Sequence, residues 1–279
     1  MSAAFIRLQH LTPQHALSRL VGRFADSTVP ALKNTLIKRF IDTYDVDMSE
    51  AAEPAGAYPT FNAFFTRALK PGARPLGDAA QFVLSPADGA VSQLGPVEDG
   101  RIVQAKGRDY SVAELLGGDT ANAARFDGGR FVTIYLSPKD YHRVHMPAGG
   151  TLRSTRYVPG DLFSVNAVTA DGVDRLFARN ERLAAVFDTP LGAMASVMVG
   201  AMIVAGIETV WSGRLQPHGK AVEQRSFSDG PKFAAGDEMG RFYLGSTVVL
   251  LFEPGKVDWL PELAAGSSVR MGQPIGRLL

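Results

Sequence analysis

Apolar positions recur at helical spacing near the start of the chain and change to a strand rhythm after Pro71. Between residues 12 and 44, Leu17, Leu20, Val21 and Phe24 form one stripe; Val29, Leu32, Leu36, Phe40 and Tyr44 form a second. That period predicts two amphipathic helices. Thr12-Pro13 is a start signal, a hydroxyl followed by proline at the first turn, and Ser27-Thr28 with Pro30 restarts the pattern. Arg19, Arg23, Lys33, Lys38 and Arg39 are read as decorating these helices, either as a solvated face or as the basic face of helices lying on anionic lipid. An acidic segment, DVDMSEAAEPAGAY, reads as a linker over residues 45–58, and Thr60 is placed to cap a short helix, FNAFFTRAL.

Beyond Pro71, apolar stretches of four to eight residues alternate with Gly, Pro and Asp turns: FVLSPADGAVSQLG, RIVQAKG, RFVTIYLSP, GTLRSTRYVPGDL, LAAVFD, STVVLLFEPG and SSVRMGQPIGRLL. This rhythm predicts a mainly β (α+β) protein, with a sandwich- or barrel-like core behind N-terminal amphipathic helices. The expected division is 1–58 for the helices and linker and 59–279 for the β-rich unit. Between Asp188 and Glu208 lie 19 uncharged residues, enough to span a bilayer. Pro190, Gly192, Gly200 and Gly206 interrupt the run, so it is read as buried strands joined near glycine. No secretory signal is visible at MSAAFIRLQHLTPQ.

Composition narrows the chemistry. There is no cysteine, which excludes disulfides, zinc–thiolate sites, iron–sulfur clusters and a catalytic thiol. Lys and Arg number 29 against 28 Asp and Glu, so no overall field favours nucleic acid and an anionic partner must be met by a local patch. Of the five histidines, His142 and His145 share one segment, LSPKDYHRVHMP. Spaced by three, without a third histidine or a carboxylate nearby, they make an incomplete metal site, and acid–base work suits them better. Asp88 sits in the turn SPADG, where ordinary turn chemistry is the plain reading. Ser246 follows Gly245 at the start of an apolar strand. The surroundings are not the GxSxG elbow of hydrolases, since Leu244 and Val248 flank it at two residues. A serine hydroxyl after glycine can instead attack the preceding carbonyl, because glycine leaves room for a tetrahedral intermediate.

SPADGAVSQLG, YLSPKDYHRVHMP, VGAMIVAGIETVW and LGST before an apolar strand together closely resemble the bacterial and mitochondrial type of phosphatidylserine decarboxylase, in order from about residue 60 to 260. A fainter similarity links ADGAVSQLG and VRMGQPIG to the hairpins of lipoyl- and biotinyl-type sandwiches, without a Met-Lys-Met tip.

The decarboxylase resemblance implies a zymogen. Asp88 would orient His145, His145 would take the proton of Ser246, and Ser246 would attack the Gly245 carbonyl. Ester formation and β-elimination, then tautomerisation and hydrolysis with release of ammonia, would leave a covalent pyruvoyl group at 246 and two chains, 1–245 and 246–279. The pyruvoyl ketone would form a Schiff base with phosphatidylserine and act as the electron sink for loss of CO2. His142, holding a proton near neutral pH, would return it to Cα, giving phosphatidylethanolamine. Lys139 and Arg143, flanking His142, are candidates for the lipid phosphate. The implied setting is peripheral, on the cytoplasmic face of the inner membrane, with anionic lipid as partner, a homodimer compatible, and neither nucleic acid nor metal involved. The alternatives are a serine hydrolase using Ser246, His145 and Asp88, and a non-catalytic membrane-binding β-sandwich.

Overall fold

The computed structural model describes residues 2–202, 206–215, 219–243 and 246–279. Four helices open the chain: α1 (Ser2–Leu11), α2 (Gln14–Ala25), α3 (Pro30–Tyr44) and α4 (Phe61–Phe65). The break between α2 and α3 falls where Pro30 restarts the pattern, with proline in the first turn of α3. Thr60 caps α4 by accepting from Ala63 N at 3.0 Å. Thr12 differs from expectation: its hydroxyl donates back to Leu8 O at 2.8 Å, because α1, which periodicity did not reveal, already occupies the preceding residues.

The orientation of α2 runs against its pattern. The small residues Ser18, Gly22 and Ala25 are buried, while Leu20 and Phe24 are 51% and 53% exposed. Small side chains allow close approach to the body, where Gln14 Oε1 accepts from Leu162 N and Gln9 Oε1 from Ser164 N. Leu20 and Phe24 are therefore left on the outside, with Leu17 and Val21 half-buried between the two faces. Lys33, read as surface decoration, is buried instead, and its Nζ donates to Gly56 O and Tyr58 O at 3.1 and 2.8 Å. An ammonium can leave water only with such acceptors around it. Arg19, Arg23, Lys38 and Arg39 are exposed as expected. One apolar cluster joins Ala25, Ile37 and Val46 to Tyr58, Phe61, Phe64 and Phe65, so packing is continuous across residue 58.

The strand rhythm is realised as a large antiparallel sheet. Its path runs Glu223–Ser226, Gly150–Val158, Arg182–Thr189, Gly192–Gly200, Ser246–Phe252, Arg130–Leu136, Gly89–Pro96 and Ser268–Val269. In the smaller sheets Glu238–Tyr243 pairs with both Arg143–His145 and Gly206–Thr209, and Pro274–Leu278 with both Phe82–Leu84 and Val257–Trp259. Among the described residues these sheets are open paths and none closes into a barrel.

The continuous apolar run of Ser246–Phe252 follows from burial on both faces. Val249 and Leu251 enter one core cluster; Val248, Leu250 and Phe252 enter the other. The first cluster is covered by short helices at Val112–Leu115, Thr120–Arg125, Ala167–Gly172 and Leu176–Arg179, which the sequence did not announce. At four to six residues they are too short to show a period, but Ser111, Asp119 and Asn166 cap the first three. The smaller sheets cover the second face through Val144, Phe242, Val257 and Ile275.

The uncharged run ahead of Glu208 is the strand Gly192–Gly200, followed by Gly206–Thr209, with 203–205 outside the described residues. Among the described residues no helix is long and apolar enough to cross a membrane.

Candidate active site

Several candidate residues collect at one end of the large sheet. Ser246, first in its strand, pairs with Leu136 on one side and Gly200 on the other. The next strand brings Ala90 opposite Tyr135, so Asp88-Gly89 enters the sheet beside the residue that precedes Leu136. Glycine is required there: a Cβ on Gly89 would lie 2.2 Å from the Tyr135 carbonyl oxygen. Gly245 lies outside the described residues, as does His218. Ser246 is fully buried and its Oγ has no hydrogen-bond partner among the described residues. A buried hydroxyl without a partner costs about 1–3 kcal/mol, a cost tolerated more readily where the group has a chemical task.

Past Leu136 the chain turns, with Ser137 N donating to Asp140 Oδ2 at 2.7 Å, and delivers Tyr141, His142 and His145. His142 is completely buried against Phe65, ring centroids 4.0 Å apart. Its Nδ1 lies 2.8 Å from Asp140 O, and a carbonyl only accepts, so the proton is on Nδ1 and Nε2 carries the lone pair. Nε2 is buried without a partner among the described residues. Burial pushes the ring's pKa from the usual 6.5 down to about 3. The expectation that His142 holds a donor proton near neutral pH is therefore corrected: in this environment it is neutral, because desolvation disfavours the imidazolium.

His145 is buried and held by two bonds. Nδ1 donates to Gly236 O at 2.8 Å, leaving Nε2 to accept from the Tyr141 hydroxyl at 3.0 Å. Burial lowers this pKa too, and lifts that of Tyr141 to about 12, so the phenol stays protonated. His145 is thus a neutral base with its lone pair at Nε2, already engaged by Tyr141.

Asp88 does not hold the ring of His145 through a hydrogen bond here. Its carboxylate receives the Arg74 fork, with Nε at 2.8 and 3.1 Å and Nη2 on Oδ2, and Met271 N at 2.8 Å. A bidentate guanidinium and a backbone amide satisfy a buried carboxylate better than one imidazole can. Arg74 continues to Glu50 at 2.9 Å, and Glu50 to Arg270 at 2.9 Å. Asp88 still acts on His145 through space, its charge favouring the protonated ring. The loops adjoin, since His145 N donates to Pro86 O at 2.8 Å.

The two proposed phosphate contacts fare differently. Arg143 is committed: Nε donates to Thr66 O and Nη1 to Glu238 Oε2, both at 2.9 Å. Lys139 is exposed at the rim of a cleft of ≈ 380 Å³ that Arg67, Arg74, Asp88 and Tyr141 also line. Neither Arg67 nor Arg74 is marked as a site residue by the sequence. Only Tyr141, inside the histidine segment, carried a positional signal. Arg67 reads as one more basic residue after an apolar helix. Among the described residues no group of three or more His, Cys, Asp or Glu is arranged to hold a metal ion.

A family profile described as phosphatidylserine decarboxylase matches residues 61–277, and a second, described as PSD, matches residues 4–45. The chain belongs to the phosphatidylserine decarboxylase family. Proteins named phosphatidylserine decarboxylase proenzyme are similar along nearly the whole length. That of Alcanivorax borkumensis is 58% identical, covering 98% of this chain and 95% of the relative. That of Pseudomonas fluorescens Pf-5 is 58% identical, covering 98% and 96%, and that of Bordetella avium 56%, covering 97% and 93%. As a member of this decarboxylase family the protein is a carboxy-lyase.

Proposed function

We propose that this chain is the precursor of a pyruvoyl-dependent enzyme that cuts itself between Gly245 and Ser246 and then converts phosphatidylserine to phosphatidylethanolamine. The observation that carries the reading is the buried Ser246 Oγ, without a hydrogen-bond partner among the described residues, at the head of a central strand in a family whose relatives are named proenzymes. The residues fit the implied group. Ser246 is the atom source for it, and its strand neighbour Gly200 contributes no side chain.

In the cleavage, Ser246 Oγ attacks the Gly245 carbonyl carbon while His145 Nε2 removes the hydroxyl proton. The Tyr141 bond to that nitrogen must open first. Asp88 works from a distance, stabilising the imidazolium as it forms while itself anchored by Arg74. The pyruvoyl group supplies an electron sink for decarboxylation at the amine-bearing carbon. His142 is assigned the return of a proton to Cα after CO2 leaves; because burial holds the imidazole neutral before substrate binds, it carries that proton only once the anionic substrate beside it favours the imidazolium. The two products of cleavage, 1–245 and 246–279, are expected to remain one folded body.

Attachment to anionic bilayers is assigned to the helices at 12–44. Leu20, Phe24 and Val29 are exposed on the same stretch as Arg19 and Arg23, an arrangement suited to the interface between headgroups and acyl chains. A peripheral position on the cytoplasmic face fits this reading, and a homodimer is compatible with it.

Intact mass of the purified protein tests the proposal. Two fragments divided at 245/246, with a carbonyl that borohydride reduces and a single uncut, inactive chain for Ser246→Ala, are expected. An uncut, active wild type without that carbonyl would refute it.

A further inference from the structure

Arg67 is 3% exposed, yet among the described residues it forms no ion pair. Of its guanidinium nitrogens only Nη2 has a partner, Lys139 O at 3.0 Å, while Nε and Nη1 are buried and unsatisfied. Its carbon lies 5.5 Å from the Phe64 ring centroid, a modest cation–π contact. Burying a cation so incompletely partnered is costly, and burial accordingly lowers its pKa. Of the other guanidinium groups around this cleft, Arg74 is spent on Asp88 and Glu50, and Arg270 is exposed and reaches Glu50 through Nη2. Arg67 is the buried lining cation with donors to spare. It also stands near enough to His142 to act on it electrostatically, and Phe65, two residues earlier, packs on that imidazole.

The geometry points to Arg67 as the residue that receives the phosphodiester of the substrate headgroup, bound in the cleft between the 67–74 segment, Asp88 and the 139–141 turn. The inference rests on the proposed lipid decarboxylase activity and names the contact for which Lys139 and Arg143 were the sequence candidates. The phosphodiester is a better occupant than the serine carboxylate for a chemical reason. A guanidinium clamped on the carboxylate would stabilise the ground state and oppose loss of CO2, whereas the phosphodiester is unchanged through the reaction, so a cation can hold it throughout. Nη2 keeps a second N–H beside its bond to Lys139 O, and together with an unsatisfied neighbouring nitrogen it forms a fork that matches two phosphate oxygens.

The test compares wild-type mature protein with Arg67→Met and Arg67→Lys. Two soluble probes are used as competitors of dihexanoyl phosphatidylserine: glycerophosphoethanolamine, with a phosphodiester but no carboxylate, and O-methylserine, with a carboxylate but no phosphate. Direct calorimetric binding of glycerophosphoethanolamine is measured alongside. Charge-assisted bonds predict a loss on the order of 10- to 100-fold in affinity for glycerophosphoethanolamine in Arg67→Met, a smaller loss in Arg67→Lys, and no change for O-methylserine. KM for the short-chain lipid should rise by a similar factor, with kcat much less affected. Without ligand, the melting temperature of Arg67→Met should hold or rise, because a poorly paired buried cation has gone. Unchanged affinity for glycerophosphoethanolamine overturns the inference, as does weakening confined to O-methylserine. So does an Arg67→Met chain that fails to fold while Arg67→Lys binds normally. If wild type fails to turn over phosphatidylserine, the activity reading falls instead, and binding of glycerophosphoethanolamine lost in Arg67→Met still upholds the phosphodiester site.

Discussion

The Tyr141 hydroxyl lies 3.0 Å from His145 Nε2, with the two rings stacked at a centroid distance of 5.6 Å. Because Nδ1 is committed to Gly236 O, Nε2 is the nitrogen of His145 that can act as base, and Tyr141 occupies it. Tyr141→Phe should therefore free the base and let the precursor cut at least as fast as wild type, followed by gel during expression or refolding. Slower cutting would show that Tyr141 positions His145 and does not merely occupy it. The pH profile should be informative as well. Burial lowers the His145 pKa, so the free base persists below 6.5. Cutting should stay level as pH falls through 6.5 and decline only under more acid conditions.

The buried histidines make the fold acid-labile in a defined direction. Folded His142 has its pKa at about 3, while the unfolded chain titrates near 6.5, so below 6.5 the unfolded state binds more protons. Stability is intact above 6.5 and is lost as pH falls from there toward 3, at up to ~1.4 kcal/mol per pH unit for this residue. Urea unfolding of His142→Phe between pH 7 and 4 should show a shallower slope than wild type. In activity, His142→Ala should still mature but decarboxylate on the order of 10²–10⁴-fold more slowly. Near-normal turnover by mature His142→Ala would remove it from proton transfer.

The Asp88–Arg74 pair separates stability from chemistry. Both side chains are largely buried, so breaking the pair on one side leaves an uncompensated charge, typically ~3–5 kcal/mol. Asp88→Asn should lower the melting temperature and accumulate precursor. Adding Arg74→Met should recover much of the stability without restoring cutting, because the charge acting on His145 is still missing. Recovery of both together would make Asp88 a structural residue only.

Cleavage should not release the short chain. Ser246–Phe252 lies between Arg130–Leu136 and Gly192–Gly200, paired with both along its seven residues and buried on both faces. The fragments 1–245 and 246–279 should co-elute in size exclusion at any dilution short of unfolding and separate only in denaturant. Spontaneous dissociation in native buffer would contradict this packing.

The outward stripe of α2 predicts how the protein meets lipid. Charge reversal at Arg19, Arg23, Lys38 and Arg39 should weaken binding to anionic vesicles and abolish its salt dependence. Leu20→Ser with Phe24→Ser should weaken binding even at low salt, while turnover of a short-chain soluble substrate is largely kept. Vesicle binding that both variants retain would place the contact elsewhere.

The sequence by itself determined the elements with strong periods and the segments that carry chemistry. Helices α2 and α3, the break at Pro30, the Thr60 cap and the strand 246–252 all follow from local pattern, because caps, proline and apolar period act within a few residues. SPADG, YHRVHMP and LGST could likewise be found as text. Tertiary structure decided the rest, because each remaining property depends on partners distant in the chain. Arg74, 14 residues from Asp88, takes the carboxylate that the family resemblance gave to His145. Asp140 O and Gly236 O fix which nitrogen of each histidine bears the proton. Burial, which no single segment reveals, neutralises His142 and strands Arg67. On α2 the same physics reverses the usual inference: three small residues fit against the body, so Leu20 and Phe24, which pattern alone would turn inward, face out.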